Sequence, residues 1–170
     1  MKNITDTKKF KFLEHTADVK FQAFGKSVDE LFKNSALAMF NGMYDGKVKK
    51  TRKIKVKAKG KDFESLLYNF LEELLVLFDG NHFFLSEVKK LEISKDISDK
   101  GNVINKKRMG RAKKSEPVSD KSGRLKLEAE VMGDKARNYE IHIDIKAITY
   151  NDMFVKRQGK TWMCQVVLDV

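Results

Sequence analysis

Residues 51–80 read "TRKIKVKAKGKDFESLLYNFLEELLVLFDG", and the hydrophobic period changes once within them. Up to Gly60 the period is two. Ile54, Val56 and Ala58 alternate with lysines, the pattern of a strand with one wet face. From Phe63 the spacing becomes three and four. Phe63, Leu66, Leu67, Phe70, Leu71, Leu74, Leu75 and Phe78 form an apolar stripe of about five turns, with Glu64, Glu72 and Glu73 off it. Gly80 is placed to stop the helix. A stripe this bulky also suits a partner groove or a cofactor box. Core packing is the better reading, because the flanking strands supply matching apolar faces.

Working towards the N-terminus, "NGMYDGK" holds turn chemistry that ends an earlier helix. That helix carries Val28, Leu31, Phe32, Ala36, Met39, Phe40 and Met43 on one face. Its start, "SVDE" from Ser27, is a capping box. The Ser27 hydroxyl is placed for the amide of residue 30, and Glu30 is able to reach back. Before it, "KFKFLEH" alternates through Phe10 and Phe12, and "VKFQAFGKS" alternates through Val19, Phe21 and Ala23. Towards the C-terminus, "FFLSEVKKLEIS", "RLKLEAEVMG" and "YEIHIDIKAITY" all read as strands. A hairpin-like pair around "RQGK" then leads into the last strand. The order is β-β-α-β-α followed by a run of strands, which fits an antiparallel or mixed α+β sheet carrying two main helices. No internal repeat is evident, although each helix is followed by a strand.

A chain of 170 residues reads most simply as a single domain, 1–170, and 41% hydrophobic residues are enough for a core. Residues 95–124 interrupt it. They carry ten Lys/Arg against four Asp/Glu, the only proline, Pro117, and no aromatic residue, so they read as a flexible basic loop insertion. That segment holds +6 of the net +11, and the remaining excess reads as modest and spread over strands and loops. Without stacking aromatics, such a loop supports non-specific attraction to phosphate rather than sequence reading. The first residues contain no apolar signal-peptide core, and no run of about 18 apolar residues occurs. A soluble cytoplasmic protein is expected, with neither a membrane nor DNA as partner.

Much chemistry is absent. There is no G-x-x-x-x-G-K-[ST] loop, no G-x-G-x-x-G opening a helix and no G-x-S-x-G elbow. Cys164 is the only cysteine, which rules out an internal disulfide and a cysteine cage for zinc; its alternating neighbours make it a buried small hydrophobe. His15, His82 and His142 are too scattered for a histidine zinc motif. His82 follows a helix exit, which favours a structural role, and His142 sits on a polar strand face.

Oxygen remains. The segment "LEHTADVKFQAFGKS" places Glu14, His15, Thr16 and Asp18 between two strands, with no glycine to tighten the turn. The chain ends "VVLDV", so Asp169 and the Val170 carboxylate are neighbours on an ordered strand, and such anions repel unless a cation lies between them. Asp18 offers a third oxygen. Hard divalent ions prefer sets of this kind, though spacing alone is a weak signal.

"EHTADV", "GKSVDELF", "LLYNFLEELL", "KAITYNDM" and the ending "VVLDV" occur in an order that resembles the archease family, from about residue 11 to residue 170 outside the basic loop. The resemblance implies an SHS2-like α+β fold with a strand-helix-strand-strand arrangement. It also implies an accessory protein, not itself an enzyme, that activates the GTP-dependent 3′-phosphate RNA ligase of tRNA splicing and promotes its guanylylation and multiple turnover. The implied cofactor is a divalent metal ion, calcium in crystals, with Mg²⁺ or Mn²⁺ as alternatives. The implied ligands are Asp18, Asp169 and Val170, the last through its carboxylate or backbone oxygen. His15 and Asp152 become supporting or partner-facing groups, and Lys146 an anion or partner contact. Two departures stand out: Asn151 where the family commonly has His, and the length and basicity of residues 95–124. The alternatives are a metal-dependent phosphoesterase using the same carboxylates, or a non-specific RNA-binding module using the basic loop. The first lacks an evident general base, and the second lacks an RNP-type motif or a suitable GXXG loop.

Overall fold

The computed structural model of the protein describes residues 8–97 and 124–170. The change of period at Gly60 is where strand β3 (Arg52–Gly60) passes into helix α2 (Phe63–Asn81). The same kind of junction occurs earlier, between β2 (Val19–Gly25) and α1 (Val28–Met43). In each, a glycine ends the strand, a lysine follows, and a capping residue opens the helix: Gly25, Lys26, Ser27 in one and Gly60, Lys61, Asp62 in the other. The glycines are needed because the helix lies against them. A Cβ on Gly25 would sit 2.4 Å from the Leu31 amide nitrogen, and one on Gly60 would sit 2.4 Å from that of Leu66. The chain therefore does repeat a local device, one too short for the sequence to reveal as a repeat.

Capping differs in detail from the sequence expectation. The Ser27 hydroxyl accepts from the Glu30 amide at 3.1 Å as expected, but the Glu30 carboxylate reaches back to the Lys26 amide, one residue earlier than a capping box requires. The reciprocal box forms at α2, where Asp62 accepts from the Ser65 amide and Ser65 Oγ accepts from the Asp62 amide. Gly80 does not stop α2. The helix runs through it to Asn81 and turns off at His82, which takes the left-handed conformation (φ 51°) that a glycine ordinarily supplies.

The remaining elements are β1 (Phe10–Leu13), β4 (Phe83–Lys95), β5 (Leu125–Lys135), a short 3-10 turn (Ala136–Asn138), β6 (Ala147–Gln158) and β7 (Thr161–Asp169). They build two antiparallel sheets, ordered β1-β2-β7-β6 and β3-β5-β4. Both helices contact strands of both sheets, so they form the filling of a sandwich. This explains why α1 buries residues all round: Leu31, Ser35 and Ala38 as well as Phe32, Ala36 and Met39. Phe32 stacks on Phe70 of α2 between the layers, with ring centroids 6.3 Å apart. Cys164 on β7 is buried as expected, with Ser35 Oγ 3.1 Å from its sulfur, and burial pushes its thiol up to about 11.

The segment read as one long strand, residues 139–150, enters the ladder only at Ala147. Residues 139–146 are extended and cross the end of the helical layer. Ile145 is buried and His142, Asp144 and Lys146 are exposed, so the alternation holds without a strand partner. The basic insertion joins neighbouring antiparallel strands: Lys95 pairs with Leu125, and the Asp96 amide donates to the Arg124 carbonyl at 2.7 Å. The expected boundary at residue 95 therefore falls on the last residue of β4, and residues 98–123 lie outside the described ones.

Candidate functional site

The candidate oxygens sit at one end of the first sheet. β2 and β7 pair antiparallel with Val19 opposite Leu168, so Asp18 and Asp169 flank that pair on the same side. Val19 and Leu168 point into the core. By the alternation of a strand, Asp18 and Asp169 face the other way. On the far side of β7, Ala147 pairs with Asp169, and the Lys146 amide donates to the Asp169 carbonyl at 2.8 Å. Asp18, Asp169, Val170 and Lys146 thus lie at the same end of the sheet although nearly the whole chain separates the first from the rest.

Helix α1 reinforces this end. It runs back along β2 for about 24 Å, so its C-terminus returns to the start of the strand. There Asn41, Gly42 and Asp45 join Asp18, Phe12 and Ile143 in lining a shallow groove. The last turn of α1 holds no basic residue, so the negative end of the helix dipole is uncompensated beside two carboxylates. Nothing in "NGMYDGK" beyond turn chemistry marks Asp45 or the helix end as part of this groove. His15 Nδ1 lies 3.6 Å from Asp18 Oδ2, close enough to orient that carboxylate.

Asp152 does not join the pair. Between Thr149 and Phe154 the β6–β7 register slips, and Tyr150, Asn151, Asp152 and Met153 bulge out of the ladder. Tyr150 stacks flat on Tyr68 of α2, with centroids 4.1 Å apart and planes at 4°. Asp152 takes φ 53°, a left-handed conformation that aspartate tolerates, and its carboxylate meets Lys20 Nζ at 3.1 Å. Its carbonyl accepts from Gln165, whose own amide oxygen accepts from Gln22. The effect is to tie up Lys20, the cation next along β2 on the face of Asp18. Among the described residues Asp169 makes no ion pair, so two carboxylates stand at this end with no ammonium or guanidinium held between them.

The donor set is all oxygen and fits a hard divalent ion. Side chains alone do not complete it: among the described residues no three of His, Cys, Asp or Glu cluster closely enough to hold a metal. A site here would need main-chain or terminal oxygens, the role given to Val170.

A second carboxylate escaped the sequence reading altogether. Asp134, only 4% exposed at the end of β5, accepts from Thr51 Oγ1, from Asn138 Nδ2 at 3.0 Å and from the Tyr139 hydroxyl at 2.7 Å. The Thr51 hydrogen bond, then those of Asn138 and Tyr139, hold its carboxyl well below the usual range. This is a structural pin, not a reactive group, and it fixes the start of residues 139–146. No signal in "MGDKARNY" distinguishes it from an exposed turn aspartate.

An α+β sandwich with two helices between two antiparallel sheets defines the fold class. The Archease protein family (MTH1598/TM1083) matches residues 10–170, and the chain belongs to it. A protein archease of Methanosarcina barkeri is 32% identical over 171 residues, 96% of this chain and 97% of that one. That of Pyrococcus abyssi is 33% identical over 168 residues, 96% and 99% of the two chains. Among solved structures, protein 1598 of Methanobacterium thermoautotrophicum superposes with a TM-score of 0.68 at 29% identity, over 95% of this chain and 99% of that one. An archease of Thermotoga maritima, described as a possible chaperone, shares the fold with a TM-score of 0.53 at 18% identity, over 93% and 94% of the two chains. Among the described residues no helix is long and apolar enough to cross a membrane.

Proposed function

We propose that the protein is a cytoplasmic accessory factor of the GTP-dependent RNA ligase of tRNA splicing, which joins a 2′,3′-cyclic or 3′-phosphate end to a 5′-hydroxyl end. In this reading it promotes transfer of GMP to the ligase's active-site histidine and so sustains repeated turnover, without catalysing a reaction itself. Membership of the archease family supports the reading. The observation that supports it most is the β2–β7 register, which pairs Val19 with Leu168, the neighbours of Asp18 and Asp169 in the chain.

Asp18, Asp169 and Val170 would hold a divalent ion, calcium, magnesium or manganese, through oxygen alone. Such an ion supplies stabilisation of the negative charge on a triphosphate during nucleotidyl transfer. The chain's own residues do the rest. The sheet end presents the carboxylates on rigid backbone, Asp152 holds Lys20 off them, and His15 steadies Asp18. Lys146 is exposed beside Asp169, where its ammonium can meet a carboxylate or phosphate of the ligase complex.

GMP transfer onto the cognate ligase, measured with and without this protein, tests the reading. Asp18→Ala should abolish the stimulation while leaving the ligase's basal guanylylation unchanged. Full stimulation by that variant would remove the acidic end from the mechanism.

A further inference from the structure

The positive charge outside residues 95–124 is not spread over the molecule. Residues 46–61 hold eight lysines and Arg52 and no carboxylate. The fold draws this segment into an edge, because β3 is an outer strand of the second sheet, paired only with β5. Val56 and Ala58 point inward and are buried. Lys53, Lys55, Lys57 and Lys59 therefore stand together on the solvent face, roughly 6.7 Å from one to the next along the strand.

Neighbouring carboxylates only partly answer the row. Lys53 lies 3.7 Å from Glu130, Lys57 3.5 Å from Glu128 and Lys59 2.9 Å from Asp96. The lysines in these pairs are well exposed, and pairs of this kind hold little energy and exchange readily for another anion. Lys55 faces Glu130 across the strands, but both oxygens of that carboxylate are shared between Lys53 and Lys89, so Lys55 has no ion pair among the described residues. Lys59 stands directly opposite Lys126, a pairing that costs stability.

Arg52 alternates with these lysines and lies on the inward side of β3, its guanidinium over the Phe83 ring and donating to the Asn81 carbonyl. With His82, Lys135, Arg137 and Tyr139 it lines a separate groove of about 800 Å³. Tyr139 is fixed there, its hydroxyl donating to Asp134 and accepting from the Lys49 amide. A lysine on an edge strand is enough to block strand-to-strand aggregation. That need does not account for four lysines in one continuous row.

We propose that this row, Lys53 to Lys59 along β3, is a docking track for the phosphodiester backbone of an RNA strand. A regular row of ammonium groups suits a polymer with one charge on every unit. The shallow hollow between the lysines is lined by Leu91 and Ala129 as well as by Lys55, Lys57, Glu128 and Glu130, so a peptide seated there is the competing outcome that the polyglutamate arm below reads. The choice of RNA over DNA rests on the ligase reading above; the track itself does not involve Asp18.

The test is binding of the full-length protein to a mixed-sequence single-stranded RNA, followed by fluorescence anisotropy across a potassium chloride series. Neutralising Lys53, Lys55 and Lys57 to Gln should lower the magnitude of the slope of log K against log salt by about 2, near 0.7 for each phosphate no longer neutralised. Glu128→Gln with Glu130→Gln should tighten binding by freeing lysines, and this pair keeps the test alive should the triple variant misfold. A control lowering the net charge equally elsewhere, Lys8, Lys26 and Lys160 to Gln, should leave the slope near its native value. An unchanged slope in the β3 variant, an equal loss in the control, no tightening in the glutamate variant, or a preference for polyglutamate over RNA would each overturn the proposal. No ligase or GTP is present, so a failure here leaves the Asp18 reading intact, and Asp18→Ala should not alter the slope.

Discussion

Replacing Asp152 by Asn should weaken divalent-ion binding at the Asp18 end, and should do so through Lys20. Lys20 Nζ is held 3.1 Å from Asp152 Oδ2 on the outer face of the first sheet. Two residues back along β2, on the same face, comes Asp18. Asparagine tolerates the left-handed backbone of residue 152 as well as aspartate does, so the substitution removes charge without adding strain. Once released, the ammonium has Asp18 and Asp169 within the reach of its own strand and competes for the oxygens that would take the ion. An exposed pair of this kind is worth about 0.2–1 kcal/mol, which at about 1.4 kcal/mol per tenfold is a loss of up to about fivefold in affinity. Removing a negative charge from the vicinity also lowers affinity directly, so Lys20→Gln is required as a second arm. Alone it should tighten binding; combined with Asp152→Asn it should abolish most of the loss. Calorimetric titration with Ca²⁺ or Mn²⁺ reads all four proteins. If Asp152→Asn costs the same factor with and without Lys20, the competition argument is wrong.

Two further outcomes follow from packing and charge. Hydrogen bonding lowers the folded-state pKa of Asp134, so its contribution is complete above the unfolded value near 3.9 and is lost as pH falls below about 4. The stability gap between the native chain and Asp134→Asn, from urea midpoints, should be flat between about pH 5 and 8 and shrink on acidification; a gap that widens in acid refutes the assignment. Glycines 80 and 133 should respond oppositely to alanine. Nothing lies within 4 Å of a Cβ at Gly80, so Gly80→Ala should stabilise α2 by about 0.5–1 kcal/mol and raise Tm by about 2–4 °C per kcal/mol. A Cβ at Gly133 would fall 2.1 Å from the Phe84 carbonyl oxygen, so Gly133→Ala must force β5 from β4 and lower Tm sharply. A thermal melt in which Gly133→Ala matches the native chain would contradict that close approach.

Elements whose signals are local were legible in the sequence. The period of two in β3 and of three and four in α2 corresponds to the observed spans, as does the hairpin whose Gly159 takes φ 62° between β6 and β7. Termini were less legible. His82, not Gly80, supplies the left-handed turn, because the packing of Phe83 and Phe84 just beyond it decides where α2 must end. The division into two sheets was invisible, since an alternating strand shows which face is buried and not which neighbour it pairs with. The bulge at Tyr150–Met153 was equally hidden: its four residues leave the ladder to stack on Tyr68 and to reach Lys20, both far away in sequence. Asp18 and Asp169 were marked by their places at strand ends, but their lying at the same end of the sheet depends on a register fixed across almost the entire chain.

Residues 139–146 show where pattern stops carrying information. "YEIHIDIK" alternates as well as any strand, and its burial alternates too. A strand, however, is defined by where its backbone hydrogen bonds go, and here they are scattered among different elements. The Tyr139 amide donates to Ala136 in the preceding turn, the His142 amide to Met43 at the end of α1, and the Lys146 amide to Asp169 on β7. Side chains divide the same way. Tyr139 is pinned by Asp134 at the basic groove, while Ile143 lines the acidic one. The segment is a strap that closes the open end of the helical layer and carries the chain from one charged surface to the other. An apolar alternation is all that such a strap shares with a strand, because both need one face on the core. Only the identity of the hydrogen-bond acceptors separates them, and those acceptors are set by helix and strand ends that lie far from the strap in the sequence.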